Sequence, residues 1–424
     1  MSSRVIVIGG GAAGMMAAGT AARAGAQVVL LEKNRILGKK LLITGKGRCN
    51  LTNACEIEEV VAKFGPEGKF LYGPLNTFPP LDTQSFFAER GLELVVERGQ
   101  RVFPTSGRAQ DVVKVLEGYV KQAGVEIRLN SAVQKIISTA SSEVNDCVQQ
   151  RITGVRLSDD TILPADKVIL ATGGASYPGT GSTGDGYIMA KKLGHTIRPI
   201  HPALVPLKVK EEWVKEVSGL SLRNVKARLF DGDELIGSEF GEMLITHFGV
   251  SGPIILTLSR LVSPRVNSGT LLRLEIDLKP ALDEDQLDAR LQRDFRLYAR
   301  KAIKNSLFDL LPRALAPVII AESMISPNRP VHQVTKAERH QLLKVLKGLS
   351  LTVTGTLPLS AAIVTVGGVC LDEVDPKTMA SRLVSGLSFG GEVLNLAADT
   401  GGFNLQAAFT TGYVAGLHAA KSLS

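Results

Sequence analysis

The chain opens on a short apolar run, Val5–Ile8, that breaks at once into glycines and then into an Ala-rich stretch from about Ala12 to Ala24. A second apolar run, Gln27–Leu31, follows Gly25 and delivers Glu32. Short, wholly apolar runs mark parallel strands covered on both faces, so this order predicts strand, tight turn, helix and strand. Val168–Ala171 and Ala361–Val366 have the same near-continuous apolar texture and predict further buried strands. Between residues 195 and 356 the texture changes. VKARLF (225–230) and LLRLEIDL (271–278) alternate with period two, the mark of strands with one wet face. Asp283–Leu311 places Leu287, Leu291, Phe295 and Leu297 at helical spacing among many charges, and Pro312 ends it. The pattern predicts a half-exposed sheet and a helical part set between two halves of one core.

The first turn carries the clearest chemistry. Gly9, Gly11 and Gly14 stand in G-x-G-x-x-G spacing between the strand and the helix. Gly9 permits the tight turn, Gly11 lets the backbone approach a pyrophosphate, and Gly14 allows close packing of helix on strand. The helix N-terminus supplies free N–H groups and the positive end of its dipole. Glu32 can accept both ribose hydroxyls and would repel a 2′-phosphate, which points to FAD or NAD rather than NADP. Gly179, Gly181 and Gly184 repeat the spacing, but no apolar strand runs into them and no acidic residue follows at the right distance. That copy reads as a Gly-rich loop. Residues 5–22 lack charge, yet five of the eighteen are Gly, poor material for a signal segment or membrane span. A soluble, cytoplasmic protein with no membrane partner is expected.

Composition narrows the field. The 424 residues are 44% apolar and 21% charged, which excludes wholesale disorder. One Trp, six Tyr and fourteen Phe are few for a protein that stacks on single-stranded nucleic acid. The net charge of +8 favours anionic partners without naming one. Asp285–Lys304 holds six basic and three acidic residues, read here as a solvated helix face, and no nucleic-acid partner is expected. Cys49, Cys55, Cys147 and Cys370 show neither metal spacing nor a disulfide framework, and no metal is expected.

Three further glycine-rich clusters favour FAD over NAD: GKKLLITGKGRCNLTN (38–53), KVILATGG (167–174) and GLSFGGEVLNLAADTGGFNLQ (386–406). The helix after the last cluster, running to about Lys421, could aim its N-terminus at a flavin edge where negative charge gathers. These strings, with RVFPTSGRAQDVV, ATGGASYPGTGSTGDGYIMAKKLGH, THFGVSGP and GEVLN…TGGFNLQAAFTTGYVAG, resemble the BaiN/aminoacetone-oxidase-like family of FAD flavoproteins over nearly the whole chain.

The resemblance implies an α/β fold: a discontinuous Rossmann-like FAD-binding domain (1–195 plus 356–424), an inserted β-rich domain (196–280 and about 325–355), and a helical subdomain (281–324). It implies pyrophosphate contacts at Gly9, Gly11, Ala13 and Gly14, and the adenosine ribose at Glu32. Lys39, Lys40, Gly45, Gly47 and Arg48 would follow in the basic loop, with Lys33, Thr44, Cys49 and Asn50 beside them. Val133 would meet the adenine through its backbone. Ala171, Thr172, Gly173 and Asp185 would flank the cofactor, with Gly391, Glu392, Asn404 and Leu405 at its ribityl and ring end. Where the family commonly has an Asp-containing turn after GEVL, this chain has Asn395, a role left to Asp399.

Candidate catalytic groups are Arg48, as a buried cation near the flavin, Tyr177, and His247, with His201 a further titrating group. Asp185 reads first as the cap of the helix ending at Gly194. Cys49 and Cys55 are separated by five residues, where disulfide reductases use four, so the two thiols read as packed rather than redox-active. The expected activity is hydride transfer between a small organic substrate and FAD, with NAD(P)H or oxygen as electron partner, in a monomer or homodimer. An RNA-modifying flavoprotein and a non-catalytic flavin sensor are the alternatives.

Overall fold

The computed structural model describes residues 2–144, 147–266 and 269–421. The chain divides into two compact units, Met1–His201 with Leu359–Ser424, and Pro202–Pro358.

The first unit is built on a five-stranded parallel sheet. Strands β1 (Arg4–Ile8), β2 (Gln27–Leu31), β3 (Glu126–Arg128), β4 (Lys167–Leu170) and β5 (Leu387–Phe389) lie in the order β5-β4-β1-β2-β3. β4 is buried throughout and β1 from Val5 to Ile8, as their apolar sequences require. Helix α1 (Ala12–Arg23) crosses from β1 to β2, and its residues Ala12–Ala21 are all buried. Helix α2 (Asp185–Lys192) follows the loop after β4, and α3 (Phe403–Ala419) closes the unit. A three-stranded antiparallel sheet, Thr52–Asn53, Arg101–Pro104 and Leu94–Glu97, stands apart from the parallel one.

The small residues of α1 have a reason that lies at the other end of the sequence. A Cβ on Gly412 of α3 would come within 2.3 Å of the Ala13 carbonyl oxygen, and one on Gly416 within 2.4 Å of that of Ala17. The two helices therefore touch backbone to backbone. This contact joins the last residues of the unit to the helix that follows the first strand.

The second unit is a closed barrel of six strands: Leu207–Val209, Gly249–Ser251, Glu234–Thr246, Ser221–Asp231, Leu272–Asp277 and Leu349–Thr356, in that order around it. The two alternating runs seen in the sequence are barrel strands, with Ala227, Leu229, Leu274 and Ile276 facing inward. The helices Pro253–Val266, Glu284–Leu297 and Lys336–Lys347 pack on it and share its core.

Two sequence expectations are corrected. The helix expected over Asp283–Leu311 starts where its Asp283/Gln286 capping box puts it but ends at Leu297. Beyond it, Ala302 pairs with Pro330 in a short bridge that takes the backbone out of helical form. The run Ala361–Val366 is not a strand of the parallel sheet. Residues 359–361 turn, and Val364–Val369 pairs with Ile197–Ala203 in a separate two-stranded ribbon. Among the described residues, no helix is long and apolar enough to cross a membrane.

Candidate functional site

Each glycine of the first turn has a separate geometric reason. Gly9 has φ +105°, and a Cβ there would meet the Ala171 carbonyl oxygen at 2.5 Å. A Cβ on Gly14 would lie 1.7 Å from the Gly9 carbonyl oxygen. Gly11 differs: its Cβ would point into open space, with no atom of the described residues within 4 Å beyond its own chain neighbours. Gly11 also caps α1 without any side-chain hydrogen bond, and no acidic residue stands in the first turn. The first N–H groups of α1 thus lack the side-chain acceptors that most helices recruit.

Glu32 is buried at the end of β2. Its Oε2 accepts the Gly10 N–H at 2.7 Å, while Oε1 accepts the Asn34 N–H at 2.8 Å and Asn34 Nδ2 at 2.6 Å. Each oxygen can accept more than one hydrogen bond, so Oε2 keeps room for a hydroxyl donor. The Ser131 N–H donates to the Glu32 carbonyl at 2.9 Å, which brings the backbone near Val133 beside Glu32.

The loop after β2 is tied to the loop after β4. Lys33 Nζ reaches Thr183 Oγ1 and Asp185 Oδ2, each at 2.5 Å. Asn34 Nδ2 reaches the Thr180 carbonyl at 3.1 Å, and Lys39 Nζ lies 3.5 Å from Asn34 Oδ1. Asp185 does not cap α2. Gly184, in left-handed conformation, holds the cap position, and the Asp185 carboxylate is turned to Lys33. Burial works to raise the Asp185 pKa, but Lys33 and Thr183 hold it below the ordinary value. Tyr177 stands in this loop in left-handed conformation at φ +51°, half-buried. The repeat of the glycine spacing at 179–184 follows no strand; it forms the turn before α2.

The basic loop bends through positive φ at Gly45, Lys46, Gly47 and Cys49. Lys40 Nζ bridges Glu392 Oε2 and Ser176 Oγ, both at 2.8 Å. Glu392 Oε1 accepts the Thr365 N–H at 2.8 Å, so one carboxylate joins three separate stretches of chain. Gly391 donates its N–H to Thr411 Oγ1 at 2.8 Å, and a Cβ there would sit 2.8 Å from that of Ala13. The N-cap of α3 is Gly402, whose Cβ would meet the Thr52 carbonyl oxygen at 2.3 Å. Asn53 Nδ2 donates to the Gly401 carbonyl, and Thr52 Oγ1 bonds Gln406 Oε1 at 2.5 Å. Segments from both ends of the sequence therefore meet at one place.

One expected role changes. Arg48 is not a buried cation: its side chain is 44% exposed, pairs with Glu97 at 2.5 Å, and lies 4.2 Å over the Phe103 ring. Asn404 uses its amide inside the protein, where Oδ1 accepts the Ala398 N–H and Nδ2 reaches the Ala398 and Asp399 carbonyls. Leu405 beside it is half-buried. Asn395 donates its N–H to the Val369 carbonyl, and the Asp399 carboxylate lies 3.7 Å from Lys63 Nζ. Burial pushes both Cys49 and Cys55 up to about 11, so neither thiol is poised to ionise near neutral pH. His247 is exposed on a turn of the barrel unit, and His201 is half-buried in a strand.

The arrangement fits FAD. Buried Thr172 Oγ1 and Asn50 Oδ1 have no hydrogen-bond partner among the described residues, and both lie in glycine-rich loops expected to meet the cofactor. Buried polar atoms are rarely left so, and a ligand rich in phosphate and hydroxyl groups would satisfy them. Ala171 and Gly173 (φ +72°) frame Thr172, and Thr44 holds its turn by donating to the Leu41 carbonyl.

One constellation was not legible in the sequence. His195 Nδ1 lies 3.0 Å from Glu373 Oε2, and Nε2 lies 2.9 Å from Ser381 Oγ, in the order of a catalytic triad. Yet Ser381 Oγ already accepts the N–H groups of Leu383 and Val384, at 3.0 and 2.8 Å. Its lone pairs are engaged, so it cannot attack, and the trio clasps two loops instead.

The family described as "HI0933-like protein Rossmann domain" matches residues 3–418. The chain is 34% identical over 421 residues, 99% of both chains, to the 3-dehydro-bile acid delta(4,6)-reductase of Clostridium scindens. It is 29% identical over 418 residues, 98% of both chains, to the ribosomal RNA dihydrouridine synthase of Haemophilus influenzae. Among solved structures, the 3-ketosteroid delta1-dehydrogenase of Sterolibacterium denitrificans superposes with a TM-score of 0.53 at 13% identity, covering 99% of this chain and all of that one, a likeness of fold alone. The chain belongs to the HI0933-like family, the BaiN-like FAD flavoproteins that its motifs resemble.

Proposed function

We propose that this chain binds FAD and uses it to saturate a carbon–carbon double bond conjugated to a carbonyl in a ring. The observation that carries the cofactor half is the open, uncapped start of α1 at Gly11, with Glu32 at the end of the next strand. The substrate half is supported by a common feature of two full-length relatives. A delta(4,6)-reductase of a 3-dehydro bile acid and a dihydrouridine synthase both act on a double bond activated by a neighbouring carbonyl.

Bound FAD would supply the hydride chemistry itself. The chain's part is to hold and shape. The N–H groups of Gly11 and Ala13 would grip the pyrophosphate and Glu32 the adenosine ribose. Thr172 and Asn50 would satisfy their orphaned oxygens on the cofactor's polar middle. Lys40, already fixed by Glu392 and Ser176, would offer its remaining N–H at the ribityl and ring end. Tyr177 is the candidate for delivering a proton to the substrate, and NAD(P)H is the candidate electron donor.

The test is anaerobic. The holoprotein is titrated with NADH or NADPH while the flavin absorbance near 450 nm is followed, and cyclic enones and free uridine are then added. Bleaching by the nicotinamide and recovery on an enone is the expected result. Bleaching by amines alone, with no recovery on any enone, would replace the reductase with an amine oxidase.

A further inference from the structure

Tyr177 is held in a backbone shape that its sequence opposes. Its φ of +51° and ψ of +61° are left-handed, a region that residues with a Cβ seldom enter. Pro178 follows it, and a residue ahead of proline is pushed toward extended conformations. Strain of this kind persists only where the surroundings over-determine it, and it gathers at functional sites.

The contacts that hold it come from both sides. Before Tyr177, the fully buried Thr365 hydroxyl accepts two consecutive amides of the loop after β4, the Ala175 N–H at 2.9 Å and the Ser176 N–H at 3.1 Å. A Cβ on Gly174 would come within 2.5 Å of Thr365 Oγ1, so that glycine lets the loop settle on the hydroxyl. The Ser176 hydroxyl donates to the Ile363 carbonyl at 3.1 Å, a second tie to the same stretch of chain. Thr365 is fixed in turn, because its N–H donates to Glu392 Oε1 at 2.8 Å. After Tyr177, its carbonyl accepts the Thr180 N–H at 2.8 Å and the Thr180 hydroxyl at 2.7 Å.

We propose that Thr365 is a positioning residue, whose hydroxyl pins this loop so that Tyr177 meets the substrate in one fixed orientation. The inference deepens the reductase reading and rests on Tyr177 as the proton donor. A threonine that only filled space would owe its place to its methyl group. Here the hydroxyl makes both contacts with the loop. Serine should therefore replace it, and valine, which has the same shape but cannot accept, should not.

Five proteins are compared as purified with FAD: wild type, Thr365→Val, Thr365→Ser, Tyr177→Phe and Thr365→Val/Tyr177→Phe. Hydrogen exchange, read by mass spectrometry on peptides spanning 173–184, reports the loop without any turnover. Two buried amides left without an acceptor should speed its exchange at least ~5-fold in Thr365→Val, with Thr365→Ser unchanged. Steady-state reduction of a cyclic enone by NAD(P)H then gives kcat and KM. Tyr177→Phe should lose about 100-fold or more in kcat, the worth of a positioned general acid. Thr365→Val should lose about 10- to 100-fold in kcat with KM little changed. The double variant should be no slower than Tyr177→Phe, since the two residues act as one unit. Losses that multiply in the double variant would overturn the proposal, because Thr365 would then act apart from Tyr177. Equal losses in Thr365→Ser and Thr365→Val would overturn it too, as would unaltered loop exchange in Thr365→Val. Should Thr365→Val not fold, Thr365→Ala differs from Thr365→Ser by the hydroxyl alone, and the absence of a contrast between them would refute the pinning. Wild-type turnover in Tyr177→Phe would remove the donor role and the inference with it, whereas a silent Thr365→Val beside an impaired Tyr177→Phe would sink the inference and leave that role standing.

Discussion

Gly11 and Gly14 stand three residues apart in one motif, yet the structure separates their roles, and two alanine substitutions should fail in opposite ways. At Gly14 a methyl would have to occupy space 1.7 Å from the Gly9 carbonyl oxygen, a backbone atom held by β1 and by contact with Ala171. Helix and strand must then separate by more than an ångström. Overpacking of this kind costs about 1–3 kcal/mol or more. At Gly11 no atom of the described residues lies within 4 Å beyond its own chain neighbours, and φ −86° with ψ −166° is open to any L-residue. The folded apoprotein should therefore be unharmed, or steadier by about 0.4–1 kcal/mol because the unfolded chain loses freedom. The added methyl would instead stand where the pyrophosphate approaches the backbone. Losing one charge-assisted hydrogen bond there costs about 1.5–3 kcal/mol, roughly 10- to 150-fold in affinity. Two measurements on apoprotein decide it: a urea melt for each variant, and an FAD titration followed by flavin fluorescence quenching. Gly14→Ala should lower the urea midpoint, while Gly11→Ala should keep the midpoint and lose FAD affinity. Unchanged FAD affinity in Gly11→Ala would refute the placement of the phosphates.

Glu32→Ala should purify largely colourless, and because three internal hydrogen bonds go with the carboxylate its melting point should fall too; Glu32→Gln, which can still accept, should melt nearer to wild type, and equal yellow occupancy in wild type and Glu32→Ala would contradict the ribose role. Cys55→Ser should keep both the flavin spectrum and turnover, since the thiol is pushed up to about 11 by burial and Glu59; loss of turnover alone would revive a dithiol. Burial lowers the His195 pKa against the upward pull of Glu373, so the native state holds its imidazole neutral where the unfolded chain would protonate. Its contribution is full above the ordinary value of about 6.5 and is lost as pH falls through the window between that and the lowered native value. Denaturation midpoints at a series of pH values should drop below that point in wild type and less steeply in His195→Gln; identical slopes would remove His195 as the cause.

The first strand, glycine turn, helix and Glu32 were legible because each has a local cause: apolar burial, positive φ, close approach and a charge at the end of a strand. The barrel strands were legible through their alternation. What the sequence did not disclose depends on partners far along the chain. Nothing local tells that Gly412 and Gly416 exist to let α3 touch the backbone of α1. Nothing local tells that Arg48 would find Glu97 and stay in solvent, or that Asp185 would turn from its cap toward Lys33. The His195–Glu373–Ser381 clasp draws on residues 178 and 186 positions from the histidine, and no spacing rule reaches that far. The helix expected to reach Leu311 stops at Leu297 because a bridge to Pro330 outcompetes it.

A crystal structure of the protein grown with saturating FAD tests the central claim most directly. The account predicts a single FAD with its pyrophosphate at the N–H groups of Gly11 and Ala13, its adenosine ribose on Glu32, and its polar middle within hydrogen-bonding reach of Thr172 and Asn50. An FAD bound elsewhere, or those contacts made by water alone at full ligand excess, would contradict it.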